Sequence, residues 1–246
     1  MHRIAPLAVP FRGGAAPPDQ EPVMSNSNAV PSSASHPAGR RALIVIDVQH
    51  EYVTGNLPIE YPPLEVSLAN IGRAIDAAHA ARVPVIVIQH LAPAGAPIFA
   101  PGSDGVALHA VVANRPYAHL IEKTQASSFA GTDLAAWLDA HGIDTLAVAG
   151  YMTHNCNAAT VYHAAHAGLK VEYLDDATGA LPYENEAGAA SAEEIHRAYT
   201  VVFQSNFAAV MSTDAWIAGL AGAPMPARDS VAASNRRARA QRAKAA

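Results

Sequence analysis

Apolar positions along the chain fall into short continuous runs separated by longer amphipathic stretches. Ala42-Leu43-Ile44-Val45-Ile46 is rich in branched residues and reads as a buried parallel strand. Residues Leu64 to Ala81 follow a helical period, with Leu64, Leu68, Ile71, Ile75 and Ala78 on one face. Val83 to Gln89 reads as a second strand, entered through Pro84, and His119 to Lys123 as a short third. A helix follows over Thr132 to His141, with Leu134, Trp137 and Leu138 inward and Gly142 as its stop. Thr145 to Ala149 is a fourth strand, Cys156 to Ala167 a helix closed by Gly168, and Leu169 to Leu174 a fifth strand. Ser191 opens another helix with Glu194 three residues on, a capping box. A last strand, Ala208 to Met211, precedes a helix from about Thr213.

Strands that alternate with helix-length segments imply right-handed crossovers. The expected fold is α/β, a Rossmann-like three-layer sandwich. Its mostly parallel sheet has about six strands, with helices on both faces. Residues 41–222 form this domain. Residues 1–40 are rich in Pro, Ala, Ser and Gly without an apolar period and read as a disordered tail. Residues 223–246 carry Arg236, Arg237, Arg239, Arg242 and Lys244 and read as a flexible, solvated basic tail or frayed helix. No internal repeat is evident.

Composition narrows the classes. The 246 residues are half hydrophobic and suffice for one substantial core or two small ones. A formal net charge of -5 argues against nucleic-acid or anionic-membrane partners for the chain as a whole. The single cysteine forbids an intrachain disulfide and fits a reducing, cytoplasmic setting. No run approaches the ~18 apolar residues a membrane helix needs. The apolar patch Ile4 to Phe11 is broken by two prolines and makes a poor signal peptide. Met24 is an alternative start to Met1.

In parallel sheets ligands sit beyond the carboxyl ends of the strands. Three reactive side chains fall there. Asp47 follows the first strand, Lys123 ends the third and Cys156 opens the helix after the fourth, separated by 76 and 33 residues. A cysteine at a helix start is placed for a thiolate, and the free N–H groups there can hold an oxyanion. Thr153 is a candidate N-cap, and Gly150 lets the chain turn out of the strand. The alternative is a buried, inert thiol. Asp47 reads as the base for that thiol and Lys123 as its counter-charge, or the two as a structural ion pair at the sheet edge.

The strand ending in Asp47-x-Gln49, the Lys123 followed by Ser127-Ser128-Phe129, and Gly150-x-x-Thr153-x-x-Cys156 together resemble the isochorismatase-like cysteine hydrolase superfamily. The resemblance covers about Arg41 to Leu220. It implies an Asp47–Lys123–Cys156 triad, a non-proline cis peptide at Tyr151–Met152 and an oxyanion hole from the N–H groups of Met152 and Cys156. It also implies a homo-oligomer. The cysteine points to the C–N hydrolases of that superfamily, acting on a small amide through a thioester. A catalytically silent binding member and a vinyl-ether or ester hydrolase are the alternatives. Nicotinamidases carry an Asp-x-His metal motif after the second strand. Here that region reads Gln89-His90-Leu91, and the next histidine is His109, so neither metal nor cofactor is expected. His154, His163 and His166 lack a thiolate or carboxylate ligand set. No Gly-x-Gly-x-x-Gly turn follows the first strand, which removes a dinucleotide site. Gln49, Tyr52, Gln89, His90, Phe129 and Tyr151 are candidate pocket residues, with Tyr183 further off. Each has core or interface packing as its alternative. The Pro- and Gly-rich connection over residues 91–116 is a candidate lid.

Overall fold

The computed structural model describes residues 40–245. The expected tail over residues 1–40 therefore lies outside the described residues, save for residue 40. Six strands form one all-parallel sheet: β1 (Arg41–Ile46), β2 (Val85–His90), β3 (His119–Lys123), β4 (Thr145–Tyr151), β5 (Lys170–Gly179) and, after a hairpin described below, β8 (Ala209–Met211). Their spatial order is β3-β2-β1-β4-β5-β8. The order reverses between β1 and β4, where Ile46 lies opposite Gly150. That is the topological switch point, and its carboxyl-end crevice is where such sheets bind ligands.

Both sheet faces are dry, which explains continuous apolar strands rather than alternating ones. Leu43, Val45, Val85, Val87, Ala147 and Ala149 face one side. There they pack on Ile71, Ala74, Ile75 and Ala78 of α1 (Leu64–Ala80), Val112 of the short α2 (Ala110–Ala113) and Trp216 of α6 (Thr213–Leu220). Ala42, Ile44, Ile46, Ile86 and Val148 face the other side. They meet Leu134 and Leu138 of α3 (Leu134–Ala140) and Ala158, Val161 and Ala164 of α4 (Ala158–His166). The layers are those expected of the α/β sandwich.

Several boundaries move for local reasons. Strand β2 begins after Pro84, which has no N–H to give, although its carbonyl accepts from Leu43 at 2.9 Å. Strand β5 runs on to Gly179 past a register shift opposite β4. A hairpin of β6 (Tyr183–Asn185) and β7 (Gly188–Ala190) stands apart from the main sheet and was not expected. The capping box at Ser191 and Glu194 opens α5 (Ala192–Val202). The helix after β4 does not start at Cys156. A five-residue π-helical turn, Thr153–Asn157, comes first and holds the cysteine. Thr153 does not cap it; its Oγ1 pairs instead with Nδ1 of His196 at 2.9 Å. The basic C-terminal residues lie on α7 (Val231–Ala245), which is largely exposed. The stretch before α7 is tied down by Asp229 N–H to Gln204 O (2.9 Å) and Gln204 Nε2 to Ala227 O (2.9 Å). No helix among the described residues is long and apolar enough to cross a membrane.

Candidate active site

Asp47 is the first residue past β1, held at a positive φ of 51°. Its backbone N–H is fixed by Ile88 O at 3.0 Å, and its carbonyl accepts from Gln49 N–H at 2.8 Å. Next door, Gly150 of β4 sits at φ 100°, so close to β1 that any Cβ would run into the Ile46 backbone. Only glycine lets β4 approach β1 this way and still turn out of the sheet. The Tyr151–Met152 peptide after it is cis.

Lys123 ends β3, two strands from β1, a span of about 10 Å at ordinary strand spacing. Its long stem crosses above His90, its register partner on β2. The ammonium ends 2.7 Å from Asp47 Oδ2, with both side chains fully buried. It also donates to Cys156 Sγ at 3.3 Å and lies 3.2 Å from His90 Nδ1. A carboxylate oxygen, an imidazole nitrogen and Sγ of these three residues lie within 4.8 Å of one another. That donor set would suit a thiophilic metal, yet the ammonium already supplies the positive charge there. Burial opposes the Lys123 charge, but Asp47 and Cys156 outweigh it and the pKa is raised.

Asp47 Oδ1 is buried and has no hydrogen-bond partner among the described residues. A buried carboxylate oxygen without a donor is costly, and it leaves one acceptor free beside the thiol. Burial is the main effect on Cys156 and pushes its thiol far above the ordinary range; the Asp47 charge adds to this and Lys123 opposes it. The helix-end argument for a resting thiolate is thus overridden.

The thiol opens onto a cavity of about 180 Å³ lined by Tyr52, Leu57, His90, Ala92, Ile98, Phe99, Ala126, Met152, Asn155 and Cys156. A larger hollow of about 460 Å³ lies at the starts of β5 and β8, around Lys170 and Ala209, and its lining has no cysteine, serine or threonine.

Residues 41–215 match the isochorismatase domain. The chain belongs to the isochorismatase family. An isochorismatase-like protein of Burkholderia xenovorans LB400, solved by crystallography, is 64% identical with a TM-score of 0.82, covering 83% of this chain and 99% of that one. An uncharacterized family protein of Bacillus subtilis is 30% identical over 178 residues, 72% of this chain and 98% of the relative. Streptothricin hydrolase of Streptomyces noursei is 37% identical over 139 residues, 56% of this chain and 49% of that enzyme. More distant family relatives at 27–28% identity include proteins named ureidoacrylate amidohydrolase and N-carbamoylsarcosine amidase.

Within this isochorismatase-family site the structure brings together Asp47, His90, Lys123 and Cys156, with Tyr52 and Met152 on the cavity wall. Four pocket candidates lie elsewhere. Gln49 is fully buried and uses its amide to bridge backbone: it accepts from His90 N–H at 2.8 Å and donates to His90 O (2.9 Å) and Val106 O (2.8 Å). Gln89 Nε2 also donates to Val106 O, at 2.8 Å. Tyr151 shares the inward face of Ala147 and Ala149 and bonds Ser67 Oγ of α1 at 2.7 Å. Phe129 stacks on His163 at 4.4 Å. Tyr183, on β6, meets His154 edge-on at 4.9 Å and is not on the cavity wall. His166 lies near Phe207, so the His163–His166 pair is engaged with aromatics. Leu57, Ile98 and Phe99 were not expected on the wall. Their signal was weak, because loop residues carry no periodicity. Residues Ala92, Ile98 and Phe99 do come from the candidate lid, which Ala92 N–H closes on Phe99 O at 3.0 Å.

Proposed function

We propose that this isochorismatase-family protein is a cysteine-dependent hydrolase of a small amide or related C–N bond. The observation that carries the reading is the Lys123 ammonium bridging the Asp47 carboxylate and Cys156 Sγ at the wall of a small cavity. Asp47, with one oxygen free, takes the thiol proton. The thiolate attacks the substrate carbonyl carbon, and the N–H groups of Met152 and Cys156 hold the resulting oxyanion. Collapse breaks the C–N bond, Asp47 returns its proton to the departing amine, and a thioester remains on Cys156. Water, deprotonated by the same carboxylate, attacks the thioester and releases the acid and the thiol. Lys123 pairs with the carboxylate before the proton moves and with the thiolate once Asp47 has taken it, so the buried ammonium keeps a counter-charge through the transfer.

A cavity of about 180 Å³ with Tyr52, Ile98 and Phe99 on its wall suits a compact, partly apolar substrate. Relatives named as amidase and amidohydrolase favour C–N over ester cleavage. A cytoplasmic homo-oligomer without metal or nucleic-acid partners belongs to the same reading. The buried thiol also fits a silent binding member, so slow alkylation does not separate the two; turnover does. A panel of small amides, ureas and matched esters, assayed for amine and acid release, tests the proposal. At least one amide should be hydrolysed, and Cys156→Ala should abolish it while the protein stays folded. Substantial amidase activity in that variant would overturn the reading.

A further inference from the structure

We propose that His90 is a positioning residue for Lys123, held as the neutral imidazole with its proton on Nε2 and its bare Nδ1 accepting the third ammonium hydrogen. The inference rests on the role proposed for Lys123 above.

An ammonium has three hydrogens and can only donate. Lys123 Nζ has three neighbours at hydrogen-bond range: Asp47 Oδ2 at 2.7 Å, His90 Nδ1 at 3.2 Å and Cys156 Sγ at 3.3 Å. The donor set is therefore used up only if Nδ1 carries no proton, which places the ring proton on Nε2. The charged or titratable groups gathered at the ring are Lys123, Asp47 and Cys156. Burial and the Lys123 charge both disfavour a second proton, while Asp47 works the other way, and the net displacement of the pKa is downward.

The ring is also held in place. The His90 backbone is pinned on both its N–H and its carbonyl by the Gln49 amide. Its side chain meets Phe99 edge-on at 5.1 Å. Without an acceptor at Nδ1 the ammonium would be free to swing off Sγ toward Asp47. His90 thereby sets how well one lysine serves both the Asp47 carboxylate and Cys156 Sγ.

Two measurements on the full chain test this without using turnover, so the absence of amidase activity would leave them valid. Nitrogen NMR of ¹⁵N-histidine-labelled protein, with the His90 signals assigned by their loss in His90→Phe and His90→Asn, should show Nε2 protonated and Nδ1 bare at neutral pH. A proton on Nδ1, or a doubly protonated ring, would overturn the inference. Alkylation of Cys156 by iodoacetamide reads the thiolate fraction and should slow about tenfold in His90→Phe. In His90→Asn the amide oxygen stands near the Nδ1 position, so the rate should recover to within about threefold of the parent. An Asn variant as slow as the Phe variant, or a Phe variant as fast as the parent, would overturn it.

Discussion

Lys123 and Asp47 form an ion pair at 2.7 Å with no exposed side-chain surface on either partner. Asp47 follows β1 and Lys123 ends β3, with β2 between those strands, so the contact exists only in the folded sheet. Removing one partner strands the other charge. Lys123→Met should therefore cost about 3–5 kcal/mol of stability. The double variant Asp47→Asn, Lys123→Met should regain much of that loss. Urea unfolding of the three proteins checks this, and a single variant as stable as the parent would show that the pair is not buried as described.

Gly150 lets two strands approach where the crevice opens. A Cβ there would meet the Ile46 backbone, at a φ of 100° that other residues rarely adopt. Gly150→Ala should lower stability by on the order of 4 kcal/mol or prevent folding, through strain and overlap acting together. Thermal unfolding reads the outcome.

Gln49 acts on the loop above the cavity rather than on its wall. Gln49→Leu would orphan His90 N–H and His90 O and leave Val106 O only its bond from Gln89 Nε2. The cost should be about 1–3 kcal/mol per orphaned group that water cannot reach. Hydrogen exchange over residues 90–108 should quicken while α1 stays protected. Unchanged exchange there would mean the amide is replaceable.

His196 is buried, and its pKa is pushed down to about 4, chiefly by burial, with the backbone at Asp175 pulling upward and His154 pushing downward. The unfolded chain takes up this proton near pH 6.5, whereas the folded chain refuses it until about pH 4. Between those values the unfolded state binds more protons, so stability falls as pH falls, by on the order of 3 kcal/mol across the window from this group. His196→Asn should flatten that slope, as read by urea midpoints from pH 7 to pH 4.

The sequence disclosed the strands well because both faces of the sheet are dry. Runs such as Leu43 to Ile46 and Val85 to Ile88 are apolar without interruption and too short for helices. The strand-end positions of Asp47 and Lys123 followed from them. Strand order did not, because nothing in β1 or β4 says that they are neighbours. Strand-end placement brought Lys123 and Cys156 to one edge of the sheet, but that they meet directly, across β2 and β1, was not legible in the spacing. The turn holding Cys156 was read as helix because a π-helical turn has nearly the same apolar spacing. The β6–β7 hairpin, with three residues per strand, is too short to show a period. Tyr151 was misread on residue type alone. It lies two and four positions beyond Ala149 and Ala147, and strand alternation already turned it toward α1 and Ser67. Phe99 and Ile98 reach the wall from a loop, where no rule ties sequence position to direction.

The most direct test of the account is the covalent state of Cys156 during turnover. Enzyme mixed with an amide from the panel that it hydrolyses, quenched in acid at successive times and mapped by mass spectrometry, should carry an acyl group on the peptide containing Cys156. The added mass should equal the substrate less its amine, and the group should be absent from Cys156→Ala. Steady amine release with Cys156 unmodified at every quench time, under conditions where a synthetic thioester at that position survives the work-up, would contradict it.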